Sequence, residues 1–339
     1  MPYLLRRSLG VVPTLIGVLI LTFLITHLLP GDPAVFFASN PAADAGTIAA
    51  IRQKLGLDLP LWHQFLIYLA QVAHGDLGQS ITTGQPVTRD LMRLLPASAE
   101  LTIFAFLLAT ALALPLGVAA ALKPGSLVDH ACRIVSTLGV SLPTFVTGLV
   151  LIYLFYYLLG IAPEPIGRTD AFAIAPQVVT GFLTIDTLLA GDLQGFAMAA
   201  KQIVLPAATM ALFALAPLAR MTRAAMLSTL KAEFIRTARA NGLSRRTIVF
   251  SYAFRNSMLP VVTTLGMVFS YMLGANVLVE KVFAWPGIGS YTLDALMQLD
   301  YAPVQGFMLV MAAIFVAINL LIDLLYALID PRTGLDADA

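Results

Sequence analysis

Leu101–Leu122 reads LTIFAFLLATALALPLGVAAAL, a run of 22 residues without one charged side chain. A bilayer core about 30 Å thick is crossed by a helix of roughly 20 apolar residues, and this run supplies them. Working outward, five more stretches qualify: Leu9–Leu29, Ile134–Leu159, Ile203–Leu218 (short, continued by Ala219), Met258–Val279 and Val304–Leu328. Composition agrees with them. Of 339 residues 59% are hydrophobic and 12% charged, against about 25% charged in a soluble domain. The expected fold is all-α and polytopic, with about six transmembrane helices.

Leu9–Leu29 follows Arg6 and Arg7, as a secretory signal would. It is longer than the roughly 7–15 residues of a signal's apolar region, so it reads as an uncleaved anchor. Ala171–Ala200 is rich in Val, Leu and Phe but is interrupted by Asp186 and Asp192. It reads as an extramembrane hairpin or a re-entrant piece. Lys and Arg set the orientation. With the amino terminus inside, the cytosolic segments hold 13 of the 20 basic residues, and the longer outside segments hold seven. Both termini are expected in the cytosol. In the outside segment Pro30–Ala99, one short helix is expected over Ala45–Leu55, stopped by Gly56. A second should begin with Pro60 at its first helical position, placing Trp62, Phe65, Leu66 and Leu69 on one face for membrane-surface or helix packing.

Several chemistries find no footing. A net charge of +1 gives no reason to expect a nucleic-acid partner. The single cysteine, Cys132, allows no intrachain disulfide and reads as a small buried apolar residue. His27, His63, His74 and His130 form no HExxH spacing, and GxSxG is absent. No Gly-Lys dipeptide occurs, so no GxxxxGK[ST] phosphate loop exists in this sequence.

The most ordered loop is Arg220–Arg255, with eight basic residues and one acid, Glu233. Retention of positive charge inside accounts for its charge but not for its order, EFIRTARANGLSRRTIVFSYAFRNSMLP, from Glu233 to Pro260. Arg236, Arg239 and Arg246 stand among the small residues Thr237, Ala238 and Ala240, and Gly242 permits a sharp turn between two short helices. A membrane-surface helix would carry a broad apolar face, which is missing here. Small residues with oriented arginines suit docking into a groove on a cytosolic protein.

This stretch resembles the coupling loop, or EAA region, of binding-protein-dependent ABC transporter permeases. It is most similar to the peptide branch (dipeptide, oligopeptide, nickel), first-permease-subunit type. The general motif has Glu-Ala-Ala six to four residues before the glycine; here Arg236, Thr237 and Ala238 precede Gly242. That loss of the acid looks like the peptide branch and unlike the sugar and amino-acid branches. Pro30–Ala34 (PGDPA), Gly75–Ser80 (GDLGQS), Ser141–Phe145 (SLPTF), Trp285–Gly289 (WPGIG) and Asp330–Arg332 (DPR) resemble the branch in the same order.

The resemblance implies a type I ABC importer permease that moves peptides or similar solutes and has no cofactor of its own. ATP and Mg would be bound by two cytosolic ATP-binding subunits. A second, related permease subunit, an extracytoplasmic solute-binding protein and the lipid bilayer complete the expected partners. Glu233, Arg236, Thr237, Ala238, Arg239, Ala240, Gly242 and Leu243 would couple to an ATP-binding subunit. The expected division is an anchor helix (1–30), an extracytoplasmic segment (31–95), a five-helix permease domain (96–328) containing loop 226–256, and a cytosolic tail (329–339).

Thr263, Gly266, Ser270 and Gly274 fall within about 80° of one another on a helix, a narrow face for either the translocation path or close helix packing. Asn319 and Asp323 share a face of the last span without forming a proton relay. Trp285 is expected as an interface anchor beside the Pro286–Gly287 turn. The rival reading is an ion- or proton-coupled secondary transporter, which calls for internal repeats and midplane ionisable pairs; neither stands out here.

Overall fold

The computed structural model describes residues 13–24, 45–54, 56–169, 176–298 and 300–329. Among them there is no β-strand, only an isolated antiparallel bridge between Gln79 and Pro86. The helices are α1 (Pro13–Leu24), α2 (Ala45–Lys54), α3 (Leu61–Ala73), α4 (Val87–Leu122), α5 (Leu127–Ser141) and α6 (Thr144–Leu151), the last widening into π-helical turns at Ile152–Leu158. There follow α7 (Leu183–Leu189), α8 (Leu193–Leu230), α9 (Glu233–Ala240) and α10 (Arg245–Thr247), then π-helical turns at Ile248–Phe254. These run on into α11 (Arg255–Val282), and α12 (Ile288–Met297) and α13 (Tyr301–Ile329) close the chain. Among the described residues, four helical stretches are long and apolar enough to span a bilayer: Val87–Leu122, Leu193–Leu230, Arg245–Gly274 and Tyr301–Ile322. A bent pair, Leu127–Gly139 with Thr144–Leu158, makes a fifth if it crosses as one. The expected first span is described only over Pro13–Leu24, and PGDPA and DPR lie outside the described residues.

Three expected spans change shape. Ile134–Leu159 is not one straight helix: its two halves meet at 109°. The break is Pro143, which has no N–H to give and drives the preceding residue out of the helical region, so Leu142 is extended at φ −100° and ψ 133°. The helix of Leu101–Leu122 starts earlier, at Val87, because Val87 and Leu91 are buried against Ile288 and so continue the apolar demand. Ile203–Leu218 is the middle of a 38-residue helix, about 57 Å long at 1.5 Å per residue. Arg220 and Arg223 do not end it. Arg223 is held by Asp129 through Nε–Oδ1 at 2.5 Å and Nη2–Oδ2 at 3.0 Å, and Arg220 donates to the Ser136 carbonyl. Of Ala171–Ala200, α7 covers seven residues and the last eight are the opening turns of α8.

The chain divides into two compact units, Met1–Pro96 with Pro286–Ala317, and Ala97–Trp285 with Ile318–Ala339. In the first, Phe65 and Tyr68 of α3 meet Phe23 of α1 at 5.3 and 5.9 Å between ring centroids. Trp62 and Leu66 of the same expected face stay exposed. Pro60 precedes the helix as its N-cap and is not its first residue. The loop Gly75–Ser80 is pinned by Ser80, whose hydroxyl donates to buried Asp300 at 2.7 Å. Buried Asp90 accepts from Thr83 Oγ1 at 2.6 Å and from the Tyr291 hydroxyl at 3.3 Å. Burial, helped by the Asp90 and Asp300 carboxylates, pushes the Tyr291 phenol up to about 12, which keeps it a proton donor.

In the second unit α8 is the central shaft, packed by α5, α6, α7 and α11. Small residues permit the approach: a Cβ on Gly139 would sit 2.6 Å from the Leu212 carbonyl oxygen, and one on Gly117 would sit 2.7 Å from Thr222 Cβ. Cys132 is buried here, as expected of a small apolar side chain.

Gly139→Leu should therefore abolish recovery of folded, monodisperse protein from detergent, because backbone on α8 cannot retreat. Gly274→Ala, whose new Cβ would meet nothing within 4 Å, should leave the elution profile and melting temperature unchanged.

Candidate functional site: the docking helix

After α8 ends, Ala232 turns extended (φ −67°, ψ 151°) and α9 begins at Glu233. Glu233 in its first turn and Arg239 in its last match the helix dipole. The helix ends at Asn241, and Gly242 then takes φ +76°. This conformation closes the end with two bonds, Leu243 N–H to Ala238 C=O at 3.2 Å and Gly242 N–H to Arg239 C=O at 3.0 Å, the Schellman pattern that favours glycine. Ser244 starts the next helix by accepting from the Thr247 N–H at 3.2 Å.

One side of α9 is inside the protein. Ile235 (0% exposed) and Ala238 (4%) belong to a cluster with Val118 and Ala121 of α4, Met226 of α8, and Ile248, Val249 and Ala253 of the π-helical turns. Full burial of an isoleucine stabilises by roughly 1.5–3 kcal/mol. Met226 also accepts at sulfur from the Ser257 hydroxyl of α11, at 3.1 Å. The other side is exposed: Glu233, Phe234, Arg236, Thr237, Arg239, Ala240, Gly242 and Leu243. Arg236 is engaged with Glu233 at 2.9 Å. Of the eight residues expected to couple, seven face outward and Ala238 faces its own chain. A partner probe belongs at Thr237, not at Ala238. The exposed groups are guanidinium, hydroxyl and aliphatic, of the kind that pairs with carboxylates and packs against apolar surface.

The four α11 residues differ in burial. Gly266 is buried, and a Cβ there would collide with Ile322 of α13, so it serves close packing. Ser270 is half-buried and donates to the Gly266 carbonyl. Thr263 and Gly274 are exposed. Of Asn319 and Asp323 in α13, the Asp323 side chain lies outside the described residues, and Asn319 has a polar or ring contact within the chain.

Trp285 is 2% exposed and so is no interface anchor. Just past the end of α11, Ala284 takes φ 49°, and Trp285 N–H bonds the Glu280 carbonyl at 2.7 Å. That reversal turns the indole inward, where Nε1 donates to the Ala97 carbonyl at 2.9 Å. Arg168 lies 5.9 Å from the indole ring and pairs with Glu100 at 2.5 Å. Glu100, 1% exposed, also accepts from Thr184 Oγ1 (2.6 Å), Thr184 N–H (2.8 Å) and Leu183 N–H (3.2 Å). Nearby, Ser98 donates to fully buried Glu280 at 2.5 Å, and Asn276 Nδ2 donates to the Ser98 carbonyl and to Thr102, both at 3.2 Å. Sequence reading missed this framework, whose only local signs were charged or amide residues at the edges of apolar runs.

Comparison with known proteins follows the same outline. Residues 113–335 match the model of the binding-protein-dependent transport system inner membrane component, and residues 1–102 match that family's N-terminal component. The probable D,D-dipeptide transport system permease protein DdpB of Escherichia coli K12 is 44% identical over 329 residues, covering 97% of this chain and 96% of that protein. The di/tripeptide transport system permease protein DppB of Pseudomonas aeruginosa is 42% identical over 330 residues, 97% of both. The glutathione transport system permease protein GsiC of Escherichia coli O6:H1 is 36% identical over 329 residues, again 97% of both.

Because a Cβ at Gly242 would meet open space, substitution there costs only backbone strain within the chain, about 1 kcal/mol for alanine. Gly242→Asn, which tolerates this backbone, should keep the melting temperature within a degree or two. Gly242→Val should lower it further and fray α9 in hydrogen exchange.

Proposed function

The chain belongs to the family of binding-protein-dependent transport system inner membrane components, and on that footing we propose that it is the membrane-spanning permease subunit of an ATP-driven importer of di- or oligopeptides. The carrying observation is its likeness, over 97% of its length, to permeases named for dipeptide and di/tripeptide transport. The outward face of α9 supports the same reading from geometry. The protein sits in the inner membrane with six spans, α1 completing the set, and both termini are cytosolic.

This chain grips no nucleotide, so the work comes from two ATP-binding subunits that hold ATP and Mg. One of them receives α9 in a groove. When the two close on ATP, the push on α9 enters the bundle through Ile235 and Ala238 and reaches the ends of α4 and α8 and the start of α11. Those helices rock against a second, related permease subunit, and access alternates between the two sides of the membrane. A solute-binding protein outside delivers the peptide. An ion-driven carrier would explain neither the outward-facing arginines of α9 nor the likeness to transport-system permeases.

A cysteine at Thr237, in a Cys132→Ser background, should crosslink to an ATP-binding subunit in inner-membrane vesicles. Dipeptide uptake by the reconstituted complex should need ATP and the binding protein and survive ionophores. Uptake by this chain on an ion gradient, with no ATP-hydrolysing companion, would overturn the assignment.

A further inference from the structure

The docking loop is short of carboxylates. From Arg220 to Arg255 the sequence has eight basic residues and only Glu233 as an acid. Glu233 is already bonded to Arg236, and Asp129 already holds Arg223 and Arg133. Among the described residues, Arg239, Arg245 and Arg246 have no carboxylate within salt-bridge distance. Two of the three stand at a cavity. A recess of 410 Å³ opens beside α9, with Arg239 and Arg245 in its wall and Leu122, Leu230, Ile248 and Val249 among its lining. Leu243, 36% exposed, lines it as well.

Guanidinium groups over an apolar floor recognise one kind of group well: a planar carboxylate on an aliphatic stem. The fork of N–H donors meets the two oxygens, and the methylenes cover the leucine and isoleucine floor. We propose that this recess receives a glutamate or aspartate side chain of the ATP-binding subunit, and that the groove in which α9 sits is acidic. The inference rests on the docking reading given above and adds the sign and chemistry of the partner surface. A lipid phosphate satisfies arginine equally well. The protein is favoured because α9 exposes a single large apolar residue, Phe234, among Arg236, Thr237 and Arg239, too narrow a face to lie in lipid. Arg239 and Leu243 also belong both to the recess and to the outward docking face, so a partner on one reaches the other.

The test uses the whole complex in nanodiscs, with rebinding of salt-stripped ATP-binding subunits followed by light scattering. The double variant Arg239→Glu/Arg245→Glu should weaken rebinding by at least about tenfold and flatten its salt dependence, while Arg239→Lys/Arg245→Lys, which keeps the charge but loses the fork, weakens it less, by about threefold. A photocrosslinker at Leu243 should capture an Asp- or Glu-containing peptide of the ATP-binding subunit. Folding of each variant is checked by its melting temperature, and docking by the Thr237→Cys crosslink. Unchanged rebinding on charge reversal, with that crosslink intact, overturns the acidic groove and leaves the docking reading standing. Loss of the crosslink in the parent protein overturns the docking reading itself. A charge-reversal effect seen with anionic lipid and absent with purely zwitterionic lipid also overturns the proposal, by assigning the recess to a headgroup.

Discussion

Two buried side chains, Ile235 and Ala238, hold α9 to the rest of the protein. Without their burial α9 would be an arginine-rich loop tethered at its two ends, free to yield under load. With it, α9 is part of one close-packed body that includes the last turns of α4 and α8 and the first turns leading into α11. Packed interiors do not deform gradually, so a push at one edge moves the whole body. Gly242 serves the same end from outside, because the left-handed turn it adopts closes the helix and starts the next one in a fixed direction.

Stiffness also has to run through the membrane. α8 spans the unit as one helix of 38 residues, and glycines on α4 and α5 bring their backbones against it. Two buried ionic groups fasten other segments to the shaft region. Asp129 ties α5 to α8 through Arg223. Glu100 ties the start of the apolar run of α4 to the segment before α8 through Arg168, Leu183 and Thr184. A buried pair contributes little net stability over apolar packing, yet breaking one partner costs about 3–5 kcal/mol. Such pairs fix position more than they stabilise.

The sequence displayed the parts whose causes are local. α9 was readable to its ends because a small-residue run stops at a glycine, and four of the six apolar runs fall on helices long and apolar enough to span a bilayer. Non-local causes stayed hidden. Continuous apolarity masked the bend at Pro143, since hydropathy does not sense a missing N–H. α4 begins early because of Ile288, some 200 residues further on. Glu100 and Arg168 are separated by 68 positions, and no pattern of spacing links them. Trp285 looked like an interfacial residue by type, but the reversal at Ala284 sends it inward. Ala238 sat within a motif read as contact surface, and only the helix's orientation shows it turned toward its own chain.

The proposed mechanism has work done on α9 reach the spans through the Ile235 contact. It is tested most directly by the number of peptides imported per ATP hydrolysed in proteoliposomes, comparing the parent complex with Ile235→Ser. Hydrolysis and subunit assembly should persist while import per ATP falls at least about tenfold, because a loosened helix absorbs the stroke. An unchanged ratio in a complex that still assembles would contradict it.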